Sequence, residues 1–324
     1  MNIGIDIGYS AVKAISGDRR VTFPSVVGSP DLARFGLLDG EARDIVLASP
    51  SGPLLVGGGA VEQSRFVARR EDRAWIDSGE FYALFLAALS ELSPATSAGV
   101  ALVTGLPVAF YGDRGRLASV LNGEHRVARL GRRAQVFHIV ECRVVPQPFG
   151  ALLSLALDER GRVADASLAG RAGVIDIGAK TTNILSVSRL RTLERETASV
   201  NAGGWDVVRA VRDYLSSECP GLDLRDHQLA EAIVARRITY YGEPVDLGPV
   251  VEPVLEALAG QVIATATQLW NGGAGLDAVV IAGGGALLLG ERITRHAGFR
   301  RARVAPDPVF ANALGFWKLS QRPK

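Results

Sequence analysis

The sequence predicts an α/β fold of two duplicated domains, and three observations carry that prediction. The stretch Gly173 to Leu185 reads as a buried apolar strand (Val174 to Ile177), a tight polar turn (Gly178 to Thr182) and a second strand from Asn183. The stretch Ile3 to Ile15 repeats that pattern and shares its Ile-Asp-Ile-Gly, so the same strand–turn–strand device occurs once in each half. Elsewhere, short buried runs alternate with segments of helical spacing.

Each hairpin sets a carboxylate, Asp6 or Asp176, at the end of a buried strand. Its turn aims backbone N–H groups and hydroxyls at one point in space. Amides and hydroxyls suit an anion and a carboxylate suits hydrated Mg²⁺, so each hairpin reads as one half of a metal–phosphate site. Two of them point to a duplicated architecture closing on one nucleotide. A turn or strand-end cap is the bland alternative for either aspartate, and the matching contexts weigh against it.

Composition narrows the class. The 324 residues suffice for two ordinary domains, and 48% hydrophobic with 22% charged residues is globular composition. A net charge of +2 argues against a dedicated nucleic-acid binder. Arginine supplies nearly all the basic charge; Lys13 and Lys180, two of the four lysines, lie in the hairpins, where an ammonium acts as a compact point charge on phosphate. Cys142 and Cys219 exclude a disulfide scaffold and a four-cysteine zinc site. Met1 to Gly8 reads as a strand rather than a leader, and the longest apolar run, Ala278 to Leu289, is short and broken by three glycines. A soluble cytoplasmic protein is expected.

In chain order, Arg20 to Phe23 reads as a third strand, and a small irregular β subdomain is expected over about 28–75. Asp77 and Glu80 resemble a capping box for a helix carrying Phe81, Leu84, Phe85, Ala88, Leu89 and Leu92 until Pro94. A buried strand (Val100 to Thr104) and a hairpin (Arg126 to Leu130, Ala134 to Val140) precede Pro146, after which an apolar helix runs to Leu157. Asp158 to Asp165 links the halves. Beyond the second hairpin come a strand at Arg189 to Thr197, and helices to Ser217, over His227 to Ile238 and over Val250 to Trp270. A buried strand, Asp277 to Ala282, runs into Gly283-Gly284-Gly285-Ala286, and a last helix covers Phe310 to Leu319.

Five segments in this order resemble the actin/Hsp70/sugar-kinase ATPase superfamily. They are Asp6-Ile-Gly-Tyr-Ser, Val145 to Leu153, Asp176-Ile-Gly-Ala-Lys-Thr-Thr, Ile281 to Ala286 and Pro308 to Trp317. Within it the chain is most similar to the bacterial and archaeal actin-like proteins of the ParM/StbA plasmid-segregation type, through Thr104-Gly-Leu-Pro-Val-Ala-Phe-Tyr-Gly-Asp113 and Val-Ile-Ala-Gly-Gly-Gly-Ala. Ala179-Lys180 departs from the Gly-Gly or Gly-Thr frequent in relatives. The resemblance implies an actin-like, ribonuclease H-like fold with central mixed sheets and flanking helices. Domain I would be 1–146 with 308–324, and domain II 147–307, with a helical subdomain inserted at about 207–250.

It also implies ATP or ADP with Mg²⁺ in the interdomain cleft, Asp6 and Asp176 holding the ion largely through water. Gly8, Tyr9, Ser10, Lys13, Gly178, Ala179, Lys180, Thr181 and Thr182 would bind phosphates. Gly203 and Gly204 would lie near the ribose, Gly283, Gly284, Gly285 and Ala286 near the adenosine, and Arg236 or Arg237 at the adenine. Gln147, with Asp6 and Asp176, would be catalytic, its neutral amide orienting the attacking water. The implied function is an ATPase whose filament lifetime is set by hydrolysis, acting in plasmid or DNA segregation through a DNA-binding adaptor. No direct nucleic-acid reading and no membrane are expected; arginine clusters at Arg65 to Arg73, Arg126 to Arg133 and Arg300 to Arg303 read first as solvated faces. A small-molecule kinase would need an acceptor-activating aspartate where Gln147 sits, and a non-polymerising nucleotide switch is the third reading.

Overall fold

The structure, a computed structural model, describes residues 1–29, 44–50, 52–64, 67–68, 73–299 and 301–322. The chain forms two compact units, Met1–Ala164 with Phe310–Lys324, and Asp165–Val309.

The sheet of the first unit has six strands in the order Arg19–Pro24, Ala11–Ser16, Asn2–Ile7, Ser97–Leu106, Gln135–Pro146, Gly123–Val127. The middle three run parallel and the outer pairs antiparallel, which is the mixed sheet expected. Ile3, Gly4, Ile5 and Asp6 are buried in succession, the mark of a central strand covered on both faces. Pro24 ends an edge strand, where its missing donor is tolerated.

Helix Gly79–Leu92 covers this sheet with Phe81, Leu84, Phe85, Ala88, Leu89 and Leu92. Its cap is Ser78, whose hydroxyl accepts from the Phe81 amide at 3.1 Å, so the expected Asp77 cap is displaced by one residue. A four-stranded sheet of short pieces (Ile45–Leu47, Leu54–Val56, Val27–Gly28, Val67–Ala68) occupies part of the expected inserted subdomain; the rest of 28–75 lies outside the described residues.

Helices Gln147–Ala156 and Ala311–Ser320 pack together in this unit, so the first unit extends to Ala164 rather than ending at residue 146. Their crossing brings backbone against backbone. A Cβ on Gly315 would collide with the Gly150 carbonyl oxygen, and one on Gly150 would lie 2.6 Å from the Asn312 carbonyl oxygen.

The second unit repeats the plan. Its sheet order is Arg191–Thr192, Thr182–Ser188, Arg171–Ile177, Ala278–Ala282, Ala302–Val304, with Ala198–Val200 also paired to Thr182–Ser188. The expected strand Arg189 to Thr197 is broken. Arg189 and Leu190 take positive φ in a tight turn, and a 3₁₀ turn at Glu194–Glu196 follows. That turn brings Glu196 inward to the Arg171 guanidinium (2.8 and 2.9 Å) and the Ser186 hydroxyl (2.9 Å).

Helices Gly204–Glu218, Asp226–Ala235 and Gly248–Leu269 follow. The second ends short of the expected Ile238, because Arg236 adopts the left-handed conformation (φ 58°) and Ile238 enters a hairpin, Arg237–Tyr240 with Glu243–Asp246. Among the described residues, only Gly248–Leu269 is long and apolar enough to cross a membrane. Its Val251, Leu255, Leu258, Val262 and Ala266 join the core of this unit.

The described arginines of the three clusters mostly have acidic or carbonyl partners: Arg73 with Asp113, Arg126 with Glu124, buried Arg129 with Glu91, and Arg303 with Asp165. Each of these pairs joins side chains of a single unit.

The helix crossing makes a contrast that can be measured. Gly315→Ala should destabilise the protein by about 1–3 kcal/mol through overpacking. Gly260→Ala, on a helix face with open space around the new Cβ, should stabilise it by up to about 1 kcal/mol. Thermal denaturation reads both, and equal melting temperatures for the two variants would contradict the crossing geometry.

Candidate functional site

The two hairpins fold alike at the backbone. The Gly8 N–H donates to the Ala11 carbonyl at 3.2 Å, and the Gly178 N–H to the Thr181 carbonyl at 2.9 Å. Each strand therefore closes around a two-residue tip, Tyr9-Ser10 or Ala179-Lys180. Thr182, placed at the turn's end by the sequence, is already the first residue of its strand. Asp6 and Asp176 are each 4% exposed and sit two residues before their glycines.

In the first unit, Ser25 braces the turn: its hydroxyl donates to the Gly8 carbonyl at 2.6 Å and its N–H to the Ser10 carbonyl at 2.9 Å. In the second unit, the N–H groups of Gly204 and Trp205 donate to the carbonyls of Gly178 (3.1 Å) and Ala179 (2.8 Å). The Thr182 hydroxyl donates to the Ala202 carbonyl at 2.8 Å. Gly203 is required because a Cβ there would lie 2.5 Å from the Ala179 carbonyl oxygen. The glycine pair thus supports the turn directly, a role distinct from the ribose contact expected of it.

This arrangement tests whether the turns suit a phosphate. The carbonyl oxygens of residues 8, 10, 11, 178, 179 and 181, which would repel an anion, all accept from protein donors. Beyond the Gly8 and Gly178 amides that close the turns, each turn carries tip amides and the hydroxyl of Ser10 or Thr181, with a lysine, Lys13 or Lys180, in the same hairpin. For Mg²⁺ the fit is of one kind. No cluster of three His, Cys, Asp or Glu side chains occurs among the described residues, whereas a single carboxylate suits an ion that keeps its waters and binds phosphate.

The carboxylates have different surroundings. Lys13 faces Asp6 across the hairpin register, and its ammonium donates to the Ala11 carbonyl at 3.3 Å. The Gln147 amide donates to the Asp6 carboxylate at 2.6 Å, and the Asn312 side chain hydrogen-bonds the same group. Burial pushes the Asp6 carboxyl above its ordinary range, with the Lys13 charge and the two amides pulling the other way. Across from Asp176 stands Asn183, whose amide oxygen accepts from the Ser199 hydroxyl at 2.7 Å.

The strand Ala278–Ala282 delivers its glycine run against Asp176. Gly283 has φ +84°, and a Cβ there would lie 2.5 Å from an Asp176 carboxylate oxygen; the Gly285 N–H donates to the Ile177 carbonyl at 2.9 Å. Gly284 has open space where a side chain would go, and buried Ala286 opens helix Ala286–Thr294. Arg236 is engaged by Glu252 (2.8 Å) and the Ile233 carbonyl, and Arg237 is exposed at the start of its hairpin. The Tyr9 ring turns toward Trp75 (centroids 6.5 Å apart), leaving its backbone to the turn.

Three residues at these sites escaped the sequence reading: Ser25, Asn183 and Asn312. Asn312 had a signal, an amide in the otherwise apolar Phe310-Ala311-Asn312-Ala313-Leu314-Gly315.

Paired α/β units, each built on a strand–turn–strand with a buried aspartate, define the actin-like fold. A family model for the N-terminal domain of actin-like proteins matches residues 4–150, and one for the C-terminal domain of an archaeal MreB-like actin homologue matches residues 174–295. The chain is thus an actin-like protein by fold, with a domain of each kind. It is similar over 99% of its length to 99% of an archaeal actin homologue, with 22% identity and a TM-score of 0.82. The same homologue in complex with ADP gives a TM-score of 0.81 at 22% identity, covering 99% of each chain. A 15-stranded ParM filament from Clostridium botulinum gives 0.78 at 23%, covering 99% of this chain and 98% of that one. No curated protein sequence matches it.

The Asp6 environment carries a pH signature. With its folded pKa raised above the unfolded 3.8, the native state holds the proton more tightly, so stability falls as pH rises through that window and the penalty persists at neutral pH. Asp6→Asn should therefore melt above wild type at pH 7, by roughly 2–4 °C for each kcal/mol relieved. The gap should close as pH falls toward the unfolded carboxyl's range. A variant less stable than wild type at pH 7 counts against this account.

Proposed function

We propose that this chain is an ATP-dependent, filament-forming actin-like ATPase. The observation that carries the reading is the matched pair of turns, each closed by an internal amide–carbonyl hydrogen bond and each following a buried aspartate. In support stand the similarity to an actin homologue in complex with ADP and to a ParM filament. In this reading Gly8, Tyr9, Ser10 and Lys13, with Gly178, Ala179, Lys180 and Thr181, hold the phosphates, while buried Thr182, its hydroxyl spent on Ala202, supports the turn from behind. Asp6 and Asp176 hold Mg²⁺ largely through water, and Gly284 gives the adenosine its closest approach to backbone. Bound Mg²⁺ would neutralise phosphate charge. Gln147, held on Asp6, would orient the attacking water.

Hydrolysis would then limit the lifetime of a homopolymer in the cytoplasm, and the cargo would be plasmid or other DNA taken up through an adaptor.

Sedimentation of the pure protein with ATP, with ADP and without nucleotide, alongside phosphate release, tests this. Polymer is expected with ATP. Gln147→Ala should retain nucleotide binding and slow phosphate release by roughly 10–1000-fold. A protein that stays monomeric and releases phosphate only when a sugar or other alcohol is added would instead be a kinase.

A further inference from the structure

The Asp6 carboxylate is held from two sides, and the second side has no role in the reading above. Asn312 is 5% exposed on the helix Ala311–Ser320. Its amide oxygen accepts from the Ala151 N–H at 3.0 Å, and its side chain also hydrogen-bonds Asp6. A carboxylate only accepts, and the Asn312 oxygen is committed to Ala151, so its NH₂ faces Asp6. Both ends of this amide are therefore fixed.

Ala151 lies one turn after Gln147 on the helix Gln147–Ala156. The contacts close a ring: Gln147 to Asp6, Asp6 to Asn312, Asn312 to Ala151, and back along one helical turn to Gln147. Removing Asn312 takes one donor from the Asp6 carboxylate and the acceptor from the Ala151 N–H. The surroundings also admit little slack, since a Cβ on Gly150 would lie 2.8 Å from the Asn312 Cα and one on Gly105 would lie 2.9 Å from the Gln147 Cα.

We propose that Asn312 is a positioning residue that fixes the Asp6 carboxylate against Gln147, so that the two act as one assembly and Asn312 sets the rate of hydrolysis rather than nucleotide affinity. The inference rests on reading the 8–11 turn as a nucleotide site. Misplacement of a reacting group by a fraction of an ångström slows chemistry while leaving phosphate contacts made by the turn in place. A merely space-filling asparagine would affect stability and leave hydrolysis alone.

The test compares wild type with Asn312→Ala, Asn312→Asp, Gln147→Ala and the Asn312→Ala/Gln147→Ala double variant. It measures single-turnover phosphate release, affinity for a fluorescent ADP analogue, and amide hydrogen exchange over 147–151 in nucleotide-free protein. Asn312→Ala should slow release about 10- to 100-fold and hold affinity within about threefold. The double variant should be no more than about twofold slower than Gln147→Ala alone, because the pair acts as a unit. Exchange over 147–151 should quicken in Asn312→Ala. Asn312→Asp keeps an acceptor for the Ala151 N–H but sets a second carboxyl against Asp6, so its release should fall with Asn312→Ala at pH 8 and recover as pH falls and the pair takes up a shared proton. Release near the wild-type rate in Asn312→Ala, or multiplicative losses in the double variant, overturns the role of Asn312 and leaves the nucleotide reading standing. Wild-type protein that neither binds the analogue nor releases phosphate ends that reading, and this inference with it.

Discussion

A carboxylate hidden at the end of the central strand is the constraint around which the first unit is arranged. Asp6 lies in a strand buried on both faces, where an ionised group lacks water. Lys13, Gln147 and Asn312 offset that cost, and they come from three remote parts of the chain. Bringing them together requires close backbone approach, and glycine makes the approach possible. Gly4 presses on Ala313 and Trp317, Gly105 on Gln147 and Phe316, and Gly150 on Asn312 and Gly315. The helix crossing and the site are thus one feature seen at two scales. Neither helix could shift without moving a donor off the carboxylate.

The second unit shares the backbone of the hairpin and solves the same problem differently. Asp176 has Asn183 across the register where Asp6 has Lys13, and a glycine run packed beside it where Asp6 has Gln147. Its turn is braced from the N-terminus of helix Gly204–Glu218, through the Gly204 and Trp205 amides, where the first turn is braced by Ser25. The duplicated device thus keeps its backbone, while the residue across the register and the element packed beside each aspartate differ.

Local features were legible in the sequence because their causes are local. Alternation of apolar residues, a glycine two places after each aspartate, and the spacing of Phe81 to Leu92 located the first hairpin and the helix within a residue or two and the second hairpin within three. What stayed hidden was set at long range or by one unusual dihedral. The left-handed Arg236 ended a helix that composition would have continued, and positive φ at Arg189 and Leu190 cut a strand in two. Glycines 283 to 285 masked the helix that begins at Ala286. Asn312 became a site residue only when helix packing set it beside Asp6, a contact spanning nearly the whole chain. The family resemblance pointed to Gln147, and its hydrogen bond to Asp6 is a tertiary fact.

That hydrogen bond constrains the chemistry under the proposed function. A side-chain amide has one acceptor end and one donor end, and Asp6, which can only accept, fixes the donor end. The Gln147 oxygen is thereby the end left for a ligand. An attacking water needs such an acceptor: it donates one proton and directs a lone pair at phosphorus, with little proton transfer required early in phosphoryl transfer. A glutamine free to flip would present the wrong end part of the time. Holding it on a carboxylate that is itself held by Asn312 removes that ambiguity, so the cost of burying Asp6 yields a fixed orientation at the reacting end.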